Sequence, residues 1–196
     1  MRTQHDVNRE EEEAAWQRAT AGDGDAFGLL FDAHSERVHR HALRLTRNAH
    51  DAEDVLAAAF LELWRRRSDV RVIDGSVLPW LLVTAGNLAL NQGRGLRRHR
   101  AFLARLPRQE QQVDPAEVQA LRRADLDIDP GLLHAIKKLS KTDQQLLGLV
   151  ALENYPLRAA AEVLGLTEPA ARSRWQRIRR RLAQTQSSDS FALAEQ

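Results

Sequence analysis

The 196-residue chain has no cysteine, one methionine, one tyrosine and six prolines, and aromatic residues make up only 5% of it. The missing cysteine excludes a disulfide framework and any thiolate-ligated zinc or iron–sulfur centre, and it fits a reducing compartment. Scarce aromatics and few β-branched runs, set against recurrent Ala, Leu and Arg, point to an all-α protein. A long hydrophobic run is also absent. The longest apolar stretch, Val77 to Leu90, is interrupted by Pro79, Thr84, Gly86 and Asn87 and falls short of the ~20 residues a membrane helix needs. Met1 to Glu13 is polar and acidic, with no apolar segment of the kind a signal peptide carries. The expectation is therefore a cytoplasmic protein without membrane insertion.

What is present is 43% hydrophobic and 29% charged residues, a composition able to build a packed core. At about 150 residues per domain, the length allows one medium domain or two small ones. Basic and acidic residues nearly cancel, 29 against 27, so the total charge announces nothing, but its distribution does. Acidic residues gather at Glu10 to Glu13, at Asp51, Glu53 and Asp54, and from Asp114 to Asp129. Arginines gather at Arg94, Arg97, Arg98, Arg100, Arg105 and Arg108, and again at Arg172, Arg174, Arg177 and Arg179 to Arg181. Two basic clusters on either side of an acidic spacer suggest two anion-binding surfaces.

Helical periodicity places the elements. Phe27, Leu30, Phe31, His34, Val38, Ala42 and Leu45 predict an amphipathic helix from about Asp25 to Arg47. A second helix is expected from Asp51, as its N-cap, to Arg67, with Val55, Leu56, Phe60, Leu63 and Trp64 on one side. Ser68 to Ser76 reads as a loop, and a third helix starts near Ser76 with Pro79 in its first turn. Gly93 and Gly95 are expected to fray or bend its end. Residues 106–131 read as an acidic linker with one short helix at Pro115 to Leu126. Beyond it, Leu132 to Leu139 forms one helix and Thr142 caps the next. Leu164-Gly165 then turns the chain into a longer helix that Thr167 caps. Helix, tight glycine turn, helix is the helix-turn-helix arrangement.

In that last helix Ala171, Trp175, Ile178 and Leu182 share one side and form the expected core face. The opposite side carries Ala170, Arg172, Ser173, Gln176, Arg177 and Arg180, side chains suited to base edges and phosphates in a major groove. A solvated, arginine-rich terminal helix is the plainer alternative; the glycine turn and the small Ala161 favour DNA. The Arg94 to Arg108 cluster, repulsive unless neutralised, also favours nucleic acid over a solvated helix end. Trp80 on periodicity is a core residue, though its place beside the loop suits it to hold an unstacked base. Asp51 and Asp54 have sufficient cause as residues near a helix N-terminus. The outward Leu61, Glu62 and Arg65 on the same helix suit docking of a partner helix. No enzyme motif is present, no cofactor is implied, and His34, His39 and His41 are wrongly spaced for helical metal ligands.

Taken in order, Asp25-Ala26-Phe27 with Leu30-Phe31, Asp51-Ala52-Glu53-Asp54-Val55 with Phe60 and Trp64, Trp80-Leu81 to Asn87, and Leu164 to Thr167 with Ser173-Arg174 and Arg177 resemble a known pattern. It is that of the extracytoplasmic-function group of bacterial sigma-70-type sigma factors, and the resemblance spans Gly22 to Ala183. It implies two small helical domains, region 2 over 21–105 and region 4 over 132–184; the composition of the tails at 1–20 and 185–196 favours mobility. It implies docking of Asp51, Asp54, Leu61 and Glu62 on the β′ clamp helices of RNA polymerase core, with the β flap as a further contact. Ser76, Trp80, Asn87, Asn91, Arg94, Arg97 and Arg98 would hold the −10 element, and the α-helical face from Ala170 to Arg180 would read the −35 element of promoter DNA. An anti-sigma factor is a further implied partner. The chain departs from the pattern at Ala57-Ala58, Gly86, Asn91, Gly93, Gly95 and Ala159-Ala160. Two other readings account for part of the sequence. A helix-turn-helix regulator that ignores polymerase leaves Asp51 to Trp64 without a task, and a helical sequestering module leaves the arginines merely solvated.

Overall fold

The computed structural model describes the backbone of residues 4–103 and 130–192 and the side chains of residues 9–91 and 131–184. The chain divides into two compact units. The first contains α1 (Gln4–Thr20), α2 (Gly24–Thr46), α3 (Ala49–Arg65) and α4 (Leu78–Leu103). The second contains α5 (Pro130–Lys137), α6 (Lys141–Leu147) running into a π-helical turn (Gly148–Leu152), α7 (Leu157–Val163) and α8 (Glu168–Ala192). Among the described residues the only extended pairing is the isolated bridge Ile73–Ser76. No described helix is long and apolar enough to cross a membrane.

In the first unit α2 packs against each of the other three helices, and α3 also packs on α4. The reason lies in its sequence: Ala26, Leu30, His34, Val38, His41 and Ala42 are all buried, so apolar contact runs along most of its length. Ala52, Val55, Ala59, Phe60 and Leu63 answer from α3, and Val77, Leu78, Leu81, Leu82 and Ala85 from α4 and the residue before it. Aromatic edges close the α2–α3 seam. Phe27 meets Trp64 at 5.0 Å between ring centroids and Phe31 meets Phe60 at 4.8 Å, both edge to face. The Arg67 guanidinium lies 4.4 Å over the Trp64 ring.

Several local expectations need correction. Residues 1–20 are not simply a tail: Gln4–Thr20 is helical, and Ala15, Trp16 and Ala19, spaced to share one helix face, are buried. A Trp that loses nearly all its exposure supplies enough apolar area to hold a helix that its acidic neighbours disguise. The N-cap of α3 is Asn48, whose side chain accepts from the Asp51 amide at 2.9 Å, so Asp51 is a first-turn residue and not the cap. Likewise Ser140, not Thr142, caps α6 through the Asp143 amide at 3.2 Å. In both cases the oxygen three residues ahead of the acidic residue reaches the free amide first. α4 runs through Gly93 and Gly95 to Leu103 without a break, and α8 continues past residue 185 to Ala192. The linker expectation, with its helix at Pro115 to Leu126, falls outside the described residues.

The second unit is fastened by two polar devices. Arg174 of α8 donates to Asp143 of α6 at 2.9 Å, with both side chains largely covered. Gln144 donates its amide to the carbonyls of Ile136 and Leu139 at 3.2 and 3.0 Å, tying α6 to the end of α5 and the residues just after it. Ala159, Ala160 and Ala161 are all buried at the α7 side of the turn.

Besides the buried Ala15, Trp16 and Ala19, one carboxylate oxygen ties α1 to the rest of its unit. Glu12 Oε1 accepts from His34 Nε2 at 2.8 Å, from Ser76 Oγ at 2.7 Å and from the Val77 amide at 2.9 Å. An ionised carboxylate only accepts, so Nε2 of His34 carries the proton. Burial pushes the Glu12 carboxyl up, but the bond and charge of His34, with the bonds from Ser76 and Val77, outweigh it and hold the group below its ordinary value. At the start of α2, Asp23 accepts from the amides of Ala26 and Asp25 and from Arg18, and these partners hold its carboxyl down as well.

Two outcomes follow for stability. Trp16→Ala is expected to destabilise the first unit by about 3–5 kcal/mol; urea denaturation with hydrogen exchange resolved by unit checks this, and an unchanged first unit would return α1 to the status of a loose tail. Glu12 is more acidic folded than unfolded, so its contribution is present above the unfolded value of about 4.3 and is lost as pH falls through the lower folded value. Thermal melts between pH 7 and 3 should therefore show the wild type losing its advantage over Glu12→Gln at the acid end, whereas parallel curves would mean that the charge carries no stability.

Candidate nucleic-acid and protein interfaces

The α7–α8 turn is built by its backbone. Gly165 sits at φ +65°, in the left-handed region where a side chain is strained. Its amide donates to Glu162 at 3.1 Å, and the next amide, Leu166, returns to Ala161 at 2.9 Å. Thr167 then caps α8, its hydroxyl accepting from the Ala170 amide at 3.4 Å. With Ala171 and Ile178 buried against the unit, α8 must present its other side outward. Arg172, Ser173, Gln176, Arg177 and Arg180 are all exposed, and Ala170 is half-exposed. Trp175 is half-buried where a core residue is expected. The six expected face residues are thus brought together on one surface. Arg172 is held along the helix by Glu168 at 2.9 Å. From Glu168 to Gln184 there are six arginines against that one acid, so the surface is strongly basic.

In the first unit the outer side of α3 carries an apolar residue among charges. Leu61 is 58% exposed, more than any other large hydrophobic of the described core, and Glu62 and Arg65 lie beside it. Asp54 is exposed one turn past Asp51, and its side chain makes no hydrogen bond or ion pair among the described residues, so capping does not occupy it. Asp51 is half-exposed, and Glu62 pairs loosely with Arg66 at 3.9 Å.

The segment between α3 and α4 contains a two-residue turn. Asp74 and Gly75 have φ +50° and +77°, and Ile73 and Ser76 exchange both amide–carbonyl bonds at 3.0 and 3.1 Å. Two successive left-handed residues are what a tight primed turn requires, and Asp-Gly supplies them. Ser76, expected to touch DNA, is half-buried; its hydroxyl donates to Glu12 and accepts from the Leu78 amide at 3.1 Å. Trp80 and Asn87 are half-buried on α4, and Asn91 is exposed. Arg94, Arg97 and Arg98 fall on α4 beyond Asn91, outside the residues whose side chains are described. Gly86 lies against α2, where an added Cβ would sit 3.8 Å from His41 Nε2.

Sequence reasoning overlooked Glu12, Gln144 and the Asp143–Arg174 pair. The Ala15, Trp16 and Ala19 spacing was the available signal for the first. For the others no local pattern exists, because their partners are distant in sequence or are backbone carbonyls. His34, one of the three histidines weighed as metal ligands, is committed to Glu12. No group of three or more His, Asp or Glu among the described residues is placed to hold a metal ion.

Comparison with known proteins gives these surfaces a family. Residues 30–101 match the family model for sigma-70 region 2, and residues 131–182 match that for sigma-70 region 4. The chain is 32% identical over 163 residues to the RNA polymerase sigma factor CarQ of Myxococcus xanthus, covering 81% of this chain and 87% of that protein. It is 30% identical to the extracytoplasmic-function sigma factor SigM of Mycobacterium tuberculosis, covering 83% and 78%. Among solved structures the fold is similar to CnrH in complex with the cytosolic domain of CnrY, with a TM-score of 0.59 at 22% identity over 91% of this chain and 99% of that one. It is also similar to the sigma factor RpoE of Bartonella quintana in complex with the anti-sigma factor NepR, with a TM-score of 0.52 at 20% identity over 83% and 98%. The two helical units, their order along the chain and these matches agree: the chain belongs to the extracytoplasmic-function group of the sigma-70 family of RNA polymerase sigma factors.

Proposed function

We propose that the three surfaces divide the work of a sigma factor, which brings RNA polymerase core to particular promoters and assists their melting. The outer face of α3, with Asp54, Leu61 and Glu62 and with Asp51 near its start, docks on the β′ clamp helices. An exposed leucine flanked by carboxylates suits a partner helix with apolar and basic residues. The turn segment before α4, with Trp80, Asn87, Asn91, Arg94, Arg97 and Arg98, receives the non-template strand of the −10 element. The outward face of α8, Ala170 to Arg180, reads the −35 element as duplex through the major groove, with the β flap holding this unit on polymerase. Ser76 we assign to holding the turn, because both its hydroxyl bonds are spent within the protein.

The observation that carries this reading is the outward face of α8, an arginine-rich surface behind a glycine turn whose inner side is closed by buried alanines. The protein works as a non-catalytic specificity subunit in the cytoplasm. By likeness to RpoE, which is solved with an anti-sigma factor, we further propose an anti-sigma partner that competes with polymerase for the α3 face. A helix-turn-helix regulator indifferent to polymerase would leave Asp54 and Leu61 with nothing to touch.

Purified protein mixed with core polymerase of its own organism should elute with it from a sizing column. The complex should start transcripts on sheared genomic DNA downstream of a shared two-element motif, read by sequencing the 5′ ends. No complex, with salt-sensitive duplex binding by the free chain, would favour the regulator. Arg172→Ala combined with Gln176→Ala is expected to erase −35 selectivity, at about 1–3 kcal/mol for each base left unread, while polymerase binding stays intact. Equal loss of both in a pull-down would sink the division between units. Asp54→Ala and Leu61→Ala should each weaken core binding without lowering the thermal midpoint; a lower midpoint with unchanged binding would make these residues structural.

A further inference from the structure

Glu12 lies on α1, ahead of the residues that match region 2, and none of the interfaces above includes it. Its position relative to the α3–α4 segment is nonetheless specific. That segment leaves α3 at Arg65 and must reach the first turn of α4 with Trp80 correctly aimed, yet few bonds of its own fix its path. Asp69 donates to Arg66, and Ile73 and Ser76 pair across the Asp74-Gly75 turn. The residues that leave this turn, Ser76 and Val77, are the two that Glu12 Oε1 holds, at 2.7 and 2.9 Å. One helical turn earlier on α1, Arg9 backs the other side of the turn. A Cβ added to Gly75 would sit 3.6 Å from Arg9 Cβ.

The same oxygen is tied to His34 of α2, which is itself buried. The Asp74-Gly75 turn and the start of α4 are therefore referenced to the central helix of the unit through one carboxylate. Hydrogen bonds to a charged acceptor in a largely covered site are stronger and more directional than bonds between neutral groups. The buried Ile73, Val77 and Leu78 hold the segment against the core, but apolar burial has no preferred direction. The Glu12 bonds to a backbone amide and a hydroxyl supply that missing orientation.

We infer that Glu12 is a positioning residue for promoter recognition: α1 uses it to set the turn and the first residues of α4, and thereby the presentation of Trp80 to the −10 strand. This rests on the proposed −10 role of the segment. It adds to that role a residue that touches no DNA but governs how sharply the −10 bases are distinguished.

The test uses the full chain reconstituted with core polymerase and a promoter library randomised across the −10 element, with transcript 5′ ends sequenced to give a discrimination ratio between the preferred element and its single-base variants. Glu12→Ala, which removes all three of these bonds, is expected to lower that ratio about tenfold, while core binding and −35 duplex affinity stay within about twofold. Glu12→Gln should recover part of it, since an amide oxygen still accepts from Ser76 and Val77. Ala42→Gly, at a buried site on α2 away from the turn, serves as the general destabilisation control and should leave the ratio unchanged. Unaltered discrimination in Glu12→Ala, or equal loss in Ala42→Gly, overturns the inference. Trp80→Ala separates the two levels: if it alters discrimination while Glu12→Ala does not, only the positioning role fails, and if neither does, the −10 assignment of the segment fails with it.

Discussion

A largely covered carboxylate is costly unless every lone pair that loses water finds a donor. In the first unit, Glu12 meets that requirement by accepting from a side chain of α2, a hydroxyl of the turn and a backbone amide at the entry to α4. Withdraw any donor and the oxygen is left partly unsatisfied; withdraw the oxygen and three donors are. The position of α1, the rotation of the turn and the protonation pattern of His34 are thus one problem with one solution. The hydrophobic contacts of Trp16, Leu30 and Val38 provide the bulk of the adhesion but do not choose among nearby arrangements, since apolar burial has no preferred direction. The polar node chooses.

The second unit is arranged on the same division between adhesion and direction. Ala171 and Ile178 bury α8, while the Arg174–Asp143 pair fixes its rotation relative to α6. That rotation matters because the opposite face carries Arg172, Ser173, Gln176 and Arg177. A turn of α8 about its axis by one residue would move a different set of side chains outward. Gln144, by closing the end of α5, keeps the helix preceding α6 at a defined stop. The basic outward face is tolerable in the free protein because its arginines are exposed and water screens their mutual repulsion.

Much of the fold was legible because periodicity survives in sequence. The spans of α2 and α3, Pro79 in the first turn of α4 and the Gly165 turn all follow from spacing and from residues with narrow conformational preferences. The faces of α8 were legible for the same reason. Caps were less so: Asn48 and Ser140 compete with Asp51 and Thr142 for the same few amides, and geometry decides among polar neighbours whose propensities are alike. α1 was hidden because Glu10 to Glu13 dominate its charge, whereas the buried contacts come from small alanines and one tryptophan. In the candidate sites, Ser76 is ambiguous in sequence for a related reason. A serine beside a loop is equally apt to meet DNA or to hold the backbone, and only its distance to Glu12 separates the two. Contacts between residues far apart in sequence leave no local trace, and that is where the remaining functional geometry resides.

The three buried alanines at 159, 160 and 161 have a consequence beyond close packing. A methyl group has no rotamers, so at these three positions of α7 nothing can be readjusted side chain by side chain, and their packing follows the main chain. Arg172, Ser173, Gln176 and Arg177 are exposed on the other side of α8, so they can be exchanged without disturbing that packing. Under the −35 role proposed for this face, scaffold and address are written on separate letters of the same helix-turn-helix, so a chain of this kind can acquire a new promoter repertoire without having to relearn how to fold.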